Sequence, residues 1–124
     1  MKIGVFAELT GISAYTLRYY EKKGLLQVCR DQYGCRVYAE SDVEWVKFLQ
    51  KLKATGMLLR DIRKYACLRY EGEATTGARL ELLTAHQYFV DEEIKKWQQY
   101  SKNLQDKITV YRHLLKQQNQ RLDA

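Results

Sequence analysis

No proline occurs among the 124 residues, so nothing in the chain removes a helical amide or forces a kink, and long helices can run uninterrupted. Histidine occurs twice, at His86 and His113, with no clustered acid or cysteine beside either, and no glycine-rich phosphate loop is present. These gaps speak against an enzyme, because hydrolytic, metal-dependent and nucleotide-handling chemistry each need such a constellation. The three cysteines, Cys29, Cys35 and Cys67, are odd in number and share no CxxC spacing. Neither a disulfide framework nor a zinc ribbon is indicated, so reduced thiols are expected and no metal or cofactor is called for. No apolar run is long enough for a signal peptide or a membrane span, which predicts a cytoplasmic protein without a membrane partner.

Acidic charge is short in one part of the chain only. Residues 1–70 hold 13 Lys and Arg against 7 Asp and Glu, whereas residues 71–124 hold 8 of each, so the whole net charge of +6 sits in the first part. A basic first part joined to a neutral second part is the pattern of a polyanion-binding module coupled to a protein-binding one.

The basic part is organised around Ser13 to Leu26. Ser13 is placed to cap a helix, since its hydroxyl can accept a first-turn amide, and Gly24 ends it by taking the left-handed conformation cheaply. Leu17 and Tyr20 fall on one face, and Tyr15, Arg18, Tyr19 and Lys22 on the other. Ile3 to Leu9 predicts a second short helix with Val5, Phe6 and Leu9 inward, and Thr10-Gly11-Ile12 a tight turn between the two. Such a pair is a helix-turn-helix, whose second helix reads the major groove. Val28 and Val37-Tyr38 then predict two short strands around an Asp31/Gly34 turn. This wing brings Arg30, Tyr33, Arg36 and Tyr38 to its edge or base, where guanidinium and hydroxyl groups suit phosphates.

Ser41 and Glu44 have capping-box spacing, and a helix follows with Val43, Trp45, Val46, Phe48, Leu49 and Leu52 inward until Gly56. Met57 to Cys67 reads as another helix, with Leu59, Ile62, Tyr65 and Ala66 inward and Arg60 in its first turn, where free amides and a guanidinium can share a phosphate. Gly72, Thr75, Thr76 and Gly77 mark a hinge. Beyond it Leu80, Leu83, Gln87, Val90, Ile94, Trp97, Ser101, Leu104, Ile108, Tyr111, Leu115, Gln118 and Leu122 follow at steps of three and four. That heptad seam predicts a coiled coil about 60 Å long, and a second copy of the chain is the economical partner. Polar Gln87 and Ser101 in the seam set its register. The domains expected are a winged helix-turn-helix at 1–70, a hinge loop at 71–77, a coiled-coil dimerisation helix at 78–120 and a tail at 121–124, in a mainly α fold.

Leu17-Arg-Tyr-Tyr-Glu21, Gly24-Leu-Leu26, Gly34-Cys-Arg-Val-Tyr38, Asp42-Val43, Gly56-Met-Leu58 and Asp61-Ile62, followed by a long helix, resemble the MerR family of bacterial transcription regulators. The resemblance implies a homodimer whose long helices pair antiparallel, with two heads on a palindromic operator in double-stranded DNA. It further implies a promoter with an overlong spacer, bent and untwisted so that RNA polymerase engages both of its elements. In the family pattern Tyr15 and Arg18 match positions near base edges, and Tyr19, Arg36 and Arg60 match phosphate contacts. The DNA-binding residues expected are therefore Ser13, Tyr15, Thr16, Arg18, Tyr19, Tyr33, Arg36, Tyr38 and Arg60. Cys35 stands where the wing usually has tyrosine, and no cysteine follows Cys67, which argues against a metal-binding loop. The proportions and the run Trp45 to Met57 look most like the short members associated with aldehyde or thiol stress, although those often carry a cysteine where Lys51 stands. Cys67, between head and dimer helix and near Arg63, Lys64 and Arg69, is the candidate sensor for an effector whose identity stays open. A second reading keeps the same winged head for an architectural or recombination-directing DNA binder without an effector.

Overall fold

The computed structural model describes residues 1–123, and they divide into two units, Met1–Thr84 and a second beginning at Ala85. Helix α1 (Ile3–Thr10) ends at Gly11, whose φ of 71° places it in the left-handed region and whose N–H bonds back to Ala7 O at 2.9 Å. The turn is sealed by Thr10, whose buried hydroxyl donates to Phe6 O at 2.8 Å and accepts from the Ile12 amide at 3.3 Å. Phe6 is fully buried, but Val5 and Leu9, expected inward, are each 52% exposed. An eight-residue helix offers the core one stripe, and the Phe6/Thr10 pair occupies it.

Helix α2 (Ala14–Lys22) buries Leu17 and Tyr20. The wing follows as β1 (Cys29–Arg30) and β2 (Arg36–Val37), antiparallel with Cys29 opposite Val37 and Arg30 opposite Arg36. Its tip is an Asp31 turn, in which the carboxylate accepts the Tyr33 and Cys35 amides at 2.9 and 3.0 Å. Helices α3 (Asp42–Ala54) and α4 (Leu59–Glu71) close the core through Trp45, Val46, Leu49, Ile62 and Ala66. The Trp45 ring stacks on Tyr65 with centroids 5.5 Å apart, and its Nε1 donates to Leu25 O at 2.9 Å.

Two local expectations change. The Ser41/Glu44 capping box does not form: Ser41 is already helical (φ −61°, ψ −19°) and its side chain caps nothing. The Asp42 and Val43 amides are satisfied instead by Ala39 O and Glu40 O, at 3.0 and 3.1 Å. The hinge is also shorter than 71–77. Helix α4 continues to Glu71, Gly72 breaks it at φ 100°, a 3-10 turn covers Glu73–Thr75, and α5 (Thr76–Asp123) starts at once. The buried Thr75 hydroxyl ties this turn down by donating to Leu68 O and Gly72 O, at 2.6 and 2.7 Å. Residues 121–123 of the expected tail belong to α5, and Ala124 lies outside the described residues.

The first turns of α5 belong to the head unit, where Leu82 and Leu83 are partly buried against its core. From Ala85 on, the helix leaves its seam open: Ile94, Trp97, Leu104, Ile108, Tyr111 and Leu115 are all exposed. Among the described residues, no helix is long and apolar enough to cross a membrane.

Candidate nucleic-acid interface

The N-terminus of α2 is built by two hydroxyls. The Thr16 amide donates to Ser13 Oγ at 3.1 Å, and Ser13 Oγ lies 2.9 Å from Thr16 Oγ1. Both side chains expected on DNA are thus first of all the helix cap that orients the residues after them. Those residues are Tyr15, 79% exposed, with Arg18, Tyr19 and Lys22 exposed along the same helix. Together with Glu21 and the wing's Arg36 they line one open concavity of about 450 Å³. Four of the expected site residues, Tyr15, Arg18, Tyr19 and Arg36, therefore meet in one place.

Glu21 holds that place together. Its carboxylate accepts from Arg36 Nε at 2.8 Å, and Arg30 Nη2 lies 3.4 Å from both of its oxygens. One carboxylate between two guanidiniums ties the wing to the recognition helix and leaves the group net positive. The Glu21 hydrogen bond is the main reason the Arg36 pKa lies above its ordinary value, so Arg36 stays a cation at any pH of interest.

Other expected residues fall elsewhere. Tyr33 stands 80% exposed at the wing tip, and Arg60, its side chain 81% exposed in the first turn of α4, reaches only Asp61 at 3.5 Å. Neither lines the concavity. Tyr38 is a correction: it is buried, not presented to a ligand, and stacks on Phe6 with centroids 4.7 Å apart. Among the described residues its buried hydroxyl has no hydrogen-bond partner, and burial pushes its pKa up. The residue follows β2, and its backbone zips onto the N-terminus instead, with Tyr38 N donating to Met1 O at 2.7 Å and the Met1 ammonium donating to Tyr38 O at 2.8 Å. Cys67 is exposed. Of its basic sequence neighbours, Arg63 donates to Lys23 O at 2.9 Å and Arg69 is paired with the Asp42 carboxylate at 2.9 Å.

Three residues that carry weight escaped the pattern reading. Lys23 and Lys53 place their ammonium groups 5.8 and 5.7 Å from the Tyr19 ring centroid, and Lys53 is also 5.5 Å from that of Tyr20. The exposed phenol of the recognition helix is thereby flanked by two cations. Asp42, the first residue of α3, is buried and accepts from Arg69 Nη1 at 2.9 Å and from the Tyr70 hydroxyl at 3.1 Å. Tyr70 in turn accepts the Gln27 amide at 3.1 Å, and burial drives its pKa to about 12. Of these, Lys23 adjoins Lys22 and Asp42 stands in the Asp42-Val43 motif, but their partners depend on contacts across the fold.

A tight helical pair, a two-stranded wing and a cationic concavity between them define a winged helix-turn-helix DNA-binding protein. The MerR HTH regulatory-protein family matches residues 1–67. The chain is 42% identical over 106 residues to an uncharacterized HTH-type transcriptional regulator of Haemophilus influenzae, an alignment covering 85% of this chain and 78% of that one. A solved structure of a Listeria monocytogenes protein assigned to the MerR family superposes with a TM-score of 0.87 at 32% identity, covering 99% of this chain and 95% of that one. HiNmlR, a MerR family regulator lacking the sensor domain and solved bound to promoter DNA, matches with a TM-score of 0.72 at 40% identity, over 90% of this chain and 89% of that one. This chain belongs to the MerR family, as a DNA-binding transcriptional regulator rather than an enzyme.

Proposed function

We propose that the protein binds a two-fold symmetric operator as a homodimer, with α2 in the major groove and the wing on the phosphate backbone. The observation that carries this reading is the single concavity in which Tyr15, Arg18, Tyr19 and Arg36 converge. Arg18 is the base reader, because a guanidinium on the outer face of a recognition helix matches the paired acceptors of guanine. Tyr19 with Lys23 and Lys53, and the Glu21-held arginines of the wing, are the phosphate anchors. Arg60 and Tyr33 extend that footprint along the backbone. Anchors on both sides of the reading helix are what a protein needs to bend and untwist a duplex, and the reading includes such distortion of a promoter spacer for RNA polymerase. Pairing comes from α5, whose seam of Ile94, Trp97, Leu104, Ile108 and Leu115 is too large an apolar stripe to leave in water. The seam pairs antiparallel with that of a second copy. Work on promoter DNA places the protein in the cytoplasm, and a stress signal is its input.

The test is Arg18→Ala on a duplex selected from a randomised pool by the wild-type protein. Binding to that duplex weakens by about 1–3 kcal/mol, with a much smaller loss on random DNA. Equal losses on both would make Arg18 a phosphate clamp and remove the base-reading assignment.

A further inference from the structure

We propose that Cys29 and Cys35 form a dithiol that a hydroperoxide closes into an intramolecular disulfide across the wing, weakening the hold of the wing arginines on DNA. The chemical half stands on the geometry of the wing; the effect on DNA rests on the function proposed above.

The ladder pairs Cys29 with Val37 and Arg30 with Arg36, and the Asp31 amide extends it one rung by donating to Cys35 O at 2.9 Å. Side chains alternate across a strand, so Cys29, Asp31, Cys35 and Val37 share one face. Arg30 and Arg36 share the other, where both meet Glu21. The two cysteines are diagonal neighbours, both exposed and both free thiols. Diagonal residues of such a ribbon lie about 7–8 Å apart at Cα, with their Cβ atoms nearer, and a disulfide spans Cα separations up to about 7 Å. Closure therefore draws the rung in by roughly an ångström. A ribbon of two residues per strand, turned at Gly34 with φ 78°, has few bonds to resist that.

Both thiols are exposed, so either can open the reaction and the product is the same. Beside Cys35 the Asp31 carboxylate is held by Lys2 at 2.6 Å. The Cys35 thiolate attacks one peroxide oxygen, the O–O bond breaks, and the departing alkoxide or hydroxide takes up a proton. Cys35 is left as a sulfenic acid. The Cys29 thiolate then attacks the Cys35 sulfur, the S–S bond forms, the S–O bond breaks, and hydroxide leaves as water on protonation. The two thiols have together given up two electrons and two protons, and the peroxide has been reduced to an alcohol or water and a second water. Since Arg30 and Arg36 occupy the rung between the two sulfurs, closure shifts both guanidiniums relative to Glu21.

The reduced protein treated with hydrogen peroxide tests both halves. Tryptic cleavage after Lys23, Arg30 and Arg36 puts the cysteines on separate peptides, Gly24–Arg30 and Asp31–Arg36. The expected product has lost two hydrogen atoms by intact mass and yields those two peptides covalently joined. Cys67→Ser behaves identically, and Cys29→Ser gives no joined pair. Oxygen adducts on separate thiols, or chains linked through Cys67, without the joined pair overturn the inference. Binding to a fluorescein-labelled random-sequence duplex, which reports phosphate contacts alone, weakens about tenfold on oxidation and recovers with dithiothreitol. If Arg36→Ala weakens that binding and the disulfide does not, the regulatory half is wrong. If Arg36→Ala itself has no effect, the function proposed for the wing is what fails.

Discussion

Among the side chains lining the concavity beside α2, Glu21 is the only acid, and its position follows from the cost of bringing cations together. Arg30 and Arg36 face each other across the ladder, and like charges directly opposite on a ribbon destabilise it. A carboxylate with 21% of its side chain exposed, 2.8 Å from Arg36 Nε, offsets that repulsion with a charge-assisted bond. The α2 periodicity shows that Glu21 lies one position from the outer face, but only the folded wing brings two arginines to it. Tyr38 shows the reverse. A wing-end tyrosine beside Arg36 has the residue type of a phosphate ligand, yet the ring completes the stack on Phe6 and its hydroxyl has no partner among the described residues. Tyr38→Phe removes an unsatisfied buried group, so stability to urea rises by about 1 kcal/mol and duplex affinity is unchanged. A loss of affinity in that variant would return the hydroxyl to the interface.

Between elements, the polar hub at Asp42 does what no local signal in the chain announces. The carboxylate starts α3, while its donors Arg69 and Tyr70 end α4 and Tyr70 also takes the Gln27 amide ahead of the wing. This capture accounts for the short hinge. The helix expected to Cys67 runs on because Arg69 and Tyr70 are drawn onto the hub and also pack on each other, the guanidinium 5.0 Å from the ring centroid, so it persists to Glu71. Asp42→Ala leaves Arg69, with 22% of its side chain exposed, beside an empty partner position. It destabilises the protein by about 2–4 kcal/mol, below the cost for a wholly buried pair because Arg69 retains some water. Thermal denaturation measures it, and a change under 1 kcal/mol would demote the hub to a surface contact.

For the whole molecule, the decisive question is what covers the α5 seam. The heptad spacing was legible without a structure, because periodicity along one helix needs no knowledge of distant residues. Ile108 sits at a seam position and is 43% exposed in the single chain. If two copies pair through this seam as proposed, Ile108→Asp places a charge there that a coiled coil cannot desolvate cheaply. The variant sediments as a monomer and loses about a hundredfold or more in affinity for a two-half-site duplex, since the second head is no longer tethered. The urea stability of the head, residues 1–84, is unaffected. A variant that keeps the wild-type mass and affinity would overturn pairing through α5.

Short-range rules were enough to read the helix-turn-helix, the Asp31/Gly34 turn and the long seam from the chain itself. A cap, a left-handed glycine and a repeat of three and four each act within a few residues. The inward place of Thr10 and the exposure of Val5 and Leu9 were decided by the folded head, as were the burial of Tyr38, the Asp42 hub and the two lysines around Tyr19. Each depends on which surfaces meet once helices pack, and the energy of burying or pairing a side chain is set by neighbours that sequence spacing does not specify.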